Sequence, residues 1–308
     1  MDKSTEKPIL VTGSHRSGST WAGQMLALNK RLAYIHEPFN VSDEISINPE
    51  QFDLWFKYIS DHNAGQFEKI FNDILNYKYP FHRNYKQCKT VRHFLKLVRD
   101  QGLSLYYRSQ LRRPLIKDPI ALFSAEWLAD KYNMDVLVMI RHPAAFCSSL
   151  KIKDWKHDFN DFLKQTELMD RYLYEFRDEI LNATVNQLSV IDQAILLWNC
   201  IHHTIDMYQT QHPSWIMARH EDLSLQPSLC FKRLYERLNL KFDENIARKI
   251  LKRTGEHNPT EQVDRNEFIR NSKASIKNWR VRLSAAEIEH IKKHTATVSS
   301  KFYRESDW

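Results

Sequence analysis

The sequence predicts an α/β fold, a three-layer sandwich with a mainly parallel central sheet and helical inserts. Three observations predict it. Five short apolar runs read as buried strands, and segments of helical periodicity separate them. The first run passes through a glycine-bounded loop directly into a helix. The 308 residues, 42% hydrophobic and 12% aromatic, supply enough apolar material for one large domain. Only 6 glycines and 10 prolines argue against disorder and long linkers, so 1–308 reads as a single domain.

In chain order, "PILVTG" (8–13) is the first strand, and a helix runs from about Gly18 to Asn29. "LAYIHE" (32–37) is the second strand, expected beside the first in a doubly wound sheet. An insert at about 41–110 follows. Asn48 and Pro49 open a helix there, as a cap with proline at the first helical position. Phe67, Ile70, Phe71, Ile74 and Leu75 recur at the spacing of one amphipathic face, and Val91, Phe94, Leu95 and Val98 mark another helix. "PLIKD" (114–118) and "DVLVMIR" (135–141) are the third and fourth strands. A second insert, at about 151–200, belongs to a stretch with helices predicted across 158–176 and 187–209. "WIMARH" (215–220) is the fifth strand, Pro227 starts a helix carrying Leu234 and Leu238, and Ser284 with Glu287 forms a capping box. The two inserts are expected to shape a cleft above the sheet.

Net charge is +7, which suits nucleic acid, an acidic membrane face or a small polyanion. The basic residues are scattered rather than run together, so a small polyanion is favoured over nucleic acid. Cys88, Cys147, Cys200 and Cys230 have no metal-ligand spacing and read as reduced thiols. "MDKSTEKPILVTG" is polar and enters a strand at once, so neither a signal peptide nor a membrane span is expected, and a cytoplasmic enzyme is the default.

Residues 13–21, "GSHRSGSTW", nearly reproduce the phosphate-binding loop Gly-x-x-x-x-Gly-Lys-Ser/Thr. Ser19 fills the lysine slot, and Arg16 sits three positions earlier. Free N–H groups at the following helix start favour an anion. "DVLVMI" ends in Arg141, a cation where many such enzymes place a metal-linked carboxylate, although Asp118 after "PLIK" is a candidate for that duty. Two arginines at strand ends suit a metal-free anion site better than Mg–ATP. A kinase with an atypical loop and a non-catalytic nucleotide-binding protein are the alternatives.

Residues 12–21 resemble the 5′-phosphosulfate loop of sulfotransferases that use 3′-phosphoadenosine 5′-phosphosulfate (PAPS), roughly Pro-Lys/Arg-Ser-Gly-Thr/Ser-Thr-Trp/Phe. "RHPAAFCSSL" places Arg141 and Ser149 eight residues apart and resembles that family's 3′-phosphate site. A guanidinium fork and a hydroxyl suit a phosphate dianion. "WIMARHEDLSLQPSLCFKRLYERLNL" (215–240) is similar to a late strand-and-helix segment of the family, with His220 where a tyrosine is usual. "FIRNSKASIKNWR" (268–280) resembles its basic C-terminal loop, without the usual Arg-Lys-Gly-x-x-Gly wording.

The resemblance implies a P-loop-like fold, PAPS as co-substrate, 3′,5′-adenosine bisphosphate (PAP) as product, and no metal. It implies donor binding by Arg16, Ser17, Gly18, Ser19, Thr20, Trp21, Arg141 and Ser149, with Arg270 and Lys273 as further 3′-phosphate contacts. Arg16 is expected on the bridging and sulfonate oxygens, and Lys117 resembles the lysine of the cytosolic branch's Lys-Thr-His motif. Pro119 stands where that motif has histidine, which points to the bacterial and glycan-directed branch and leaves the base to Glu37. Burial beside Ile35 and Phe39 is expected to raise the Glu37 pKa, with Arg16 pulling it back. His36 and Asp118 are reserve bases. The expected acceptor is a small molecule, sugar or lipid; the cytosolic branch's dimer segment is not reproduced at 277–287, which leaves oligomeric state open.

Overall fold

The computed structural model describes residues 6–41, 52–86, 88, 90–255, 257–258 and 271–308. All five apolar runs are strands: β1 (Ile9–Gly13), β2 (Leu32–His36), β3 (Arg113–Lys117), β4 (Asp135–Ile140) and β5 (Ile216–Arg219). They form one sheet in the order β2-β3-β1-β4-β5, every neighbouring pair parallel. Ile9 lies opposite both Leu115 and Asp135, which sets β1 at the centre.

The second strand is therefore not beside the first, as the sequence reading expected. β3 lies between them. The reason is burial: every residue of β3 is buried, whereas β2 ends in exposed His36 and suits an edge. The long insert between β2 and β3 makes the crossover that this order requires.

Side chains alternate between the two faces of the strands. Ile9, Val11, Leu115, Leu137 and Met139 pack on one face with residues of the helices Ser19–Leu26 and Pro227–Arg237. Leu10, Ile116, Val136, Val138 and Ile140 pack on the other with the helices Pro143–Lys153 and Val190–Gln211. A parallel sheet covered on both faces is the predicted three-layer arrangement.

The Gly65–Leu75 helix buries Phe67, Ile70, Phe71 and Ile74 as its spacing predicts, and the Ser284–Glu287 capping box opens the helix Ala285–Ser299. Two expectations fare differently. The stretch 158–176 breaks into Asn160–Leu163, Thr166–Arg171 and a short 3₁₀ turn at Tyr174–Phe176. Buried Gln165 accounts for the break, since its amide donates to the Asp161 carbonyl at 2.8 Å and accepts from the Tyr58 N–H at 2.7 Å. The helix Val91–Ser109 forms, but Val91, Phe94, Leu95 and Val98 are exposed and Leu97 is buried instead. The helix predicted to open at Pro49 lies outside the described residues. Among the described residues, no helix is long and apolar enough to cross a membrane.

Gly13 ends β1 at φ 137°, and a Cβ there would sit 2.3 Å from the Met139 carbonyl oxygen. Gly13→Ala should therefore cost roughly 2–4 kcal/mol, because strained backbone and an unrelieved clash against β4 add together. Chemical denaturation checks this; a loss under about 0.5 kcal/mol, the usual size for a surface change, would show that β1 can shift freely.

Candidate active site

A cleft of ≈ 1190 Å³ opens where the loop after β1 meets the segments that follow β3 and β4. It is lined by His15, Arg16 and Gly18 of the loop, by Ser19, Thr20 and Trp21 of the helix that follows, by Glu37, by Arg141 and by Ser148 and Ser149; Ser17 is fully buried and does not line it. This is the carboxyl edge of a parallel sheet, where loops and helix N-termini converge.

The loop is held in an uncommon shape. The Ser17 N–H bonds the Ser14 carbonyl at 3.2 Å, Arg16 takes φ 62°, and Gly18 takes φ 89° as the cap of the helix Ser19–Leu26. A Cβ on Gly18 would meet His220 Nδ1 at 2.4 Å. Among the described residues, no side chain caps that helix. Its first N–H groups therefore remain available to an anion. The buried hydroxyls of Ser14, Ser17 and Ser148 have no hydrogen-bond partner among the described residues.

Two arginines meet over the loop. Arg16 Nε donates to Ser149 Oγ at 2.8 Å, and one Arg141 NH group donates to the Arg16 carbonyl at 2.6 Å. Arg16 thus turns toward the serine that the sequence assigns to the far phosphate. Arg141 is only 9% exposed, and its Nε is buried with no partner among the described residues. Burial lowers its pKa to about 10, with Glu221 offsetting part of that, so it stays cationic at neutral pH. Burial and the neighbouring Arg282 charge lower Arg16 as well. Arg282, on the short helix Trp279–Arg282, lines the same cleft.

On the opposite wall, Glu37 follows β2 at φ 40° and continues the ladder through its N–H to the Lys117 carbonyl at 2.9 Å. Its carboxylate accepts from Lys117 Nζ, and Asn40 Nδ2 donates to its other oxygen at 3.0 Å. Burial raises the Glu37 pKa, but Lys117, His36 and these hydrogen bonds outweigh it and leave it below the ordinary value. The expected net rise is thus corrected, and the cation opposing it is Lys117. Lys117 is fully buried and does not line the cleft. Burial lowers its pKa, offset in part by Glu37.

A family model described as the Sulfotransferase family matches residues 8–244. The chain belongs to the sulfotransferase family. Among solved structures it is similar to the sulfotransferase domain from the curacin biosynthetic pathway, with 15% identity and a TM-score of 0.46 over 94% of this chain and 98% of that one. It is also similar to the sulfotransferase domain from the Synechococcus PCC 7002 olefin synthase, with 16% identity and a TM-score of 0.46 over 98% of both chains. A third is a retinol dehydratase solved in a complex with retinol and PAP, with 16% identity and a TM-score of 0.44 over 96% of this chain and 82% of that one. No curated protein matches.

The other residues singled out in the sequence separate clearly. Ser19 is buried and Thr20 half-buried in the first helical turn, both on the cleft wall. Trp21 is buried in the core, edge-on to His220 at 5.4 Å and to Phe231 at 5.3 Å, with one side on the cleft. Lys273 is exposed and outside the cleft lining, and Arg270 lies outside the described residues. The sequence reading missed Arg282, His15, Ser148 and Trp155, all of which line the cleft. Arg282 had a visible signal, because it lies just beyond the basic "KNWR" stretch.

Neither reserve base reaches the cleft wall. His36 is on the exposed end of β2. Asp118 is buried, accepting the Phe39 N–H at 2.6 Å and the Ile120 N–H at 3.1 Å. Burial raises its pKa to about 7, against the pull of the Phe39 N–H. The folded state therefore holds this proton more tightly than the unfolded chain does. Its stabilising contribution is full below about pH 4 and is lost as pH rises through about 7. The wild type should lose stability relative to Asp118→Asn across that window, by up to about 1.4 kcal/mol per pH unit. Urea midpoints of both proteins against pH test this, and a pH-independent difference would mean Asp118 is ionised in the folded state.

Proposed function

We propose that the cleft binds PAPS and that the protein transfers its sulfuryl group to a hydroxyl or amine of a small-molecule, sugar or lipid acceptor, releasing PAP. The observation that carries this reading is the Arg141–Arg16–Ser149 arrangement, which joins a phosphate-type loop to a second cationic site in one cleft. A nucleotide with anionic groups at both ends suits that spacing of charge. The unpartnered hydroxyl of Ser148 and the buried Arg141 Nε, both of cleft-lining residues, fit it too, since a polyoxygen anion would satisfy them.

In the reaction an acceptor O–S or N–S bond forms as the bond from sulfur to the phosphate oxygen breaks. The transferred group carries a single negative charge, so arginines and backbone N–H groups can neutralise the developing charge. Glu37 is the base, an ionised carboxylate on the cleft wall that takes the acceptor's proton. Lys117 is a positioning residue, holding that carboxylate from beneath. A kinase reading loses its candidate metal ligand, because both Asp118 oxygens are engaged by backbone N–H groups.

PAP at a hundred times its dissociation constant should stabilise the protein by about 2.7 kcal/mol, and ATP–Mg should not. Arg141→Ala should weaken PAP at least about ten-fold more than adenosine 5′-phosphosulfate, which lacks the 3′-phosphate, since a charge-assisted bond is worth about 1.5–3 kcal/mol. Protection by ATP–Mg alone would favour the kinase.

Glu37→Gln should retain PAP binding and lower kcat by roughly a hundred-fold or more. Lys117→Met removes the cation that depresses the Glu37 pKa, so the acid limb of the kcat profile should move to higher pH. An unmoved limb would assign the base elsewhere.

A further inference from the structure

The helix Val91–Ser109 turns an apolar stripe to solvent. Val91, Phe94, Leu95, Val98, Leu105 and Tyr106 are 41–76% exposed and recur at the spacing of one helical face. The opposite face attaches the helix, through buried Leu97 and through Ser104 Oγ, which donates to the Tyr77 carbonyl at 2.6 Å. Nine of the nineteen exposed large hydrophobic side chains among the described residues fall between Tyr85 and Leu111. Apolar exposure elsewhere is scattered, as on any protein surface, but here it is gathered in one place.

Charge says what covers it. From Arg83 to Arg99 the sequence carries six Lys or Arg and no Asp or Glu. At 100° per residue, exposed Arg92 and Arg99 border the stripe on one side and exposed Arg108 borders it on the other. Asp100, paired with Arg99 at 2.7 Å, is the one acidic residue of the helix.

We propose that this face docks the protein on an anionic lipid surface, with the stripe entering the boundary between headgroups and acyl chains. An apolar face bordered by cations is the form of an interfacial helix, which needs no membrane span. A second copy of the chain fits less well, because symmetric pairing would set the arginine rows of both copies along one seam. The docking face is separate from the cleft and does not depend on the sulfotransfer reading.

The test is flotation of the whole chain with vesicles of phosphatidylcholine alone, or of phosphatidylcholine and phosphatidylserine in equal parts. Binding to the mixed vesicles should be at least about ten-fold stronger and should weaken with salt. The double variant Leu95→Glu with Val98→Glu, both exposed positions, should lower that binding about ten-fold or more at unchanged melting temperature. Lys249→Gln with Lys252→Gln, an equal change of charge on the exposed side of the helix Glu244–Thr254, should leave it nearly intact. Three results would overturn the proposal: no binding to mixed vesicles, equal losses in the two double variants, or a wild-type dimer that the helix variant converts to monomers without vesicle binding.

Discussion

Arg141 reaches from the end of β4 to the carbonyl of Arg16, and the site is organised around that hydrogen bond. It ties the central strands to the loop they support. It also brings the exposed Arg16 side chain near buried Arg141, with Arg282 on the same cleft wall. Burial and mutual repulsion both disfavour such charges, and Glu221 offsets only part of the cost at Arg141. A polyanion entering such a cluster of cations would offset that cost. Pre-set donors also avoid reorganisation at the moment of reaction.

The strand order gives the site its second wall. With β3 between β1 and β2, Lys117 stands next to the loop strand and Glu37 sits one strand further out. The two side chains bridge that step as an ion pair. A buried lysine needs a partner, and Glu37 provides one while keeping its own carboxylate on the cleft. Arg16 and Glu37, both on the cleft, take left-handed backbone conformations that non-glycine residues rarely adopt. Strain at these positions persists because the sheet hydrogen bonds and the loop contacts over-determine it.

Much of this was legible in the sequence for plain reasons. Apolar runs of five to seven residues bounded by turn signals are too short for buried helices and read as buried strands, and all five are strands. The glycines at 13 and 18 marked the loop after the first strand, and in the structure both take positive φ. Arg141 and Ser149 were singled out through the family resemblance of "RHPAAFCSSL", and both line the cleft, because a strand end and the next helix are joined by a short connection. Arg282 was not singled out, since its approach to the cleft depends on how a distant segment folds back. The outward face of Val91–Ser109 was likewise invisible, because periodicity reports that a face is apolar and not which way it points.

The sequence by itself determined the class of fold, the position of the glycine-bounded loop after β1 and the cationic character of its surroundings. These follow from local chemistry: hydrophobic period, glycine conformation and the fixed charge of arginine. Tertiary structure alone decided that β3 separates β1 from β2, that Lys117 rather than Arg16 sets the ionisation of Glu37, and that Arg16 turns to Ser149. Those outcomes depend on which strands neighbour each other and on how deeply each charge is buried, and both are properties of the packed chain rather than of any segment of it.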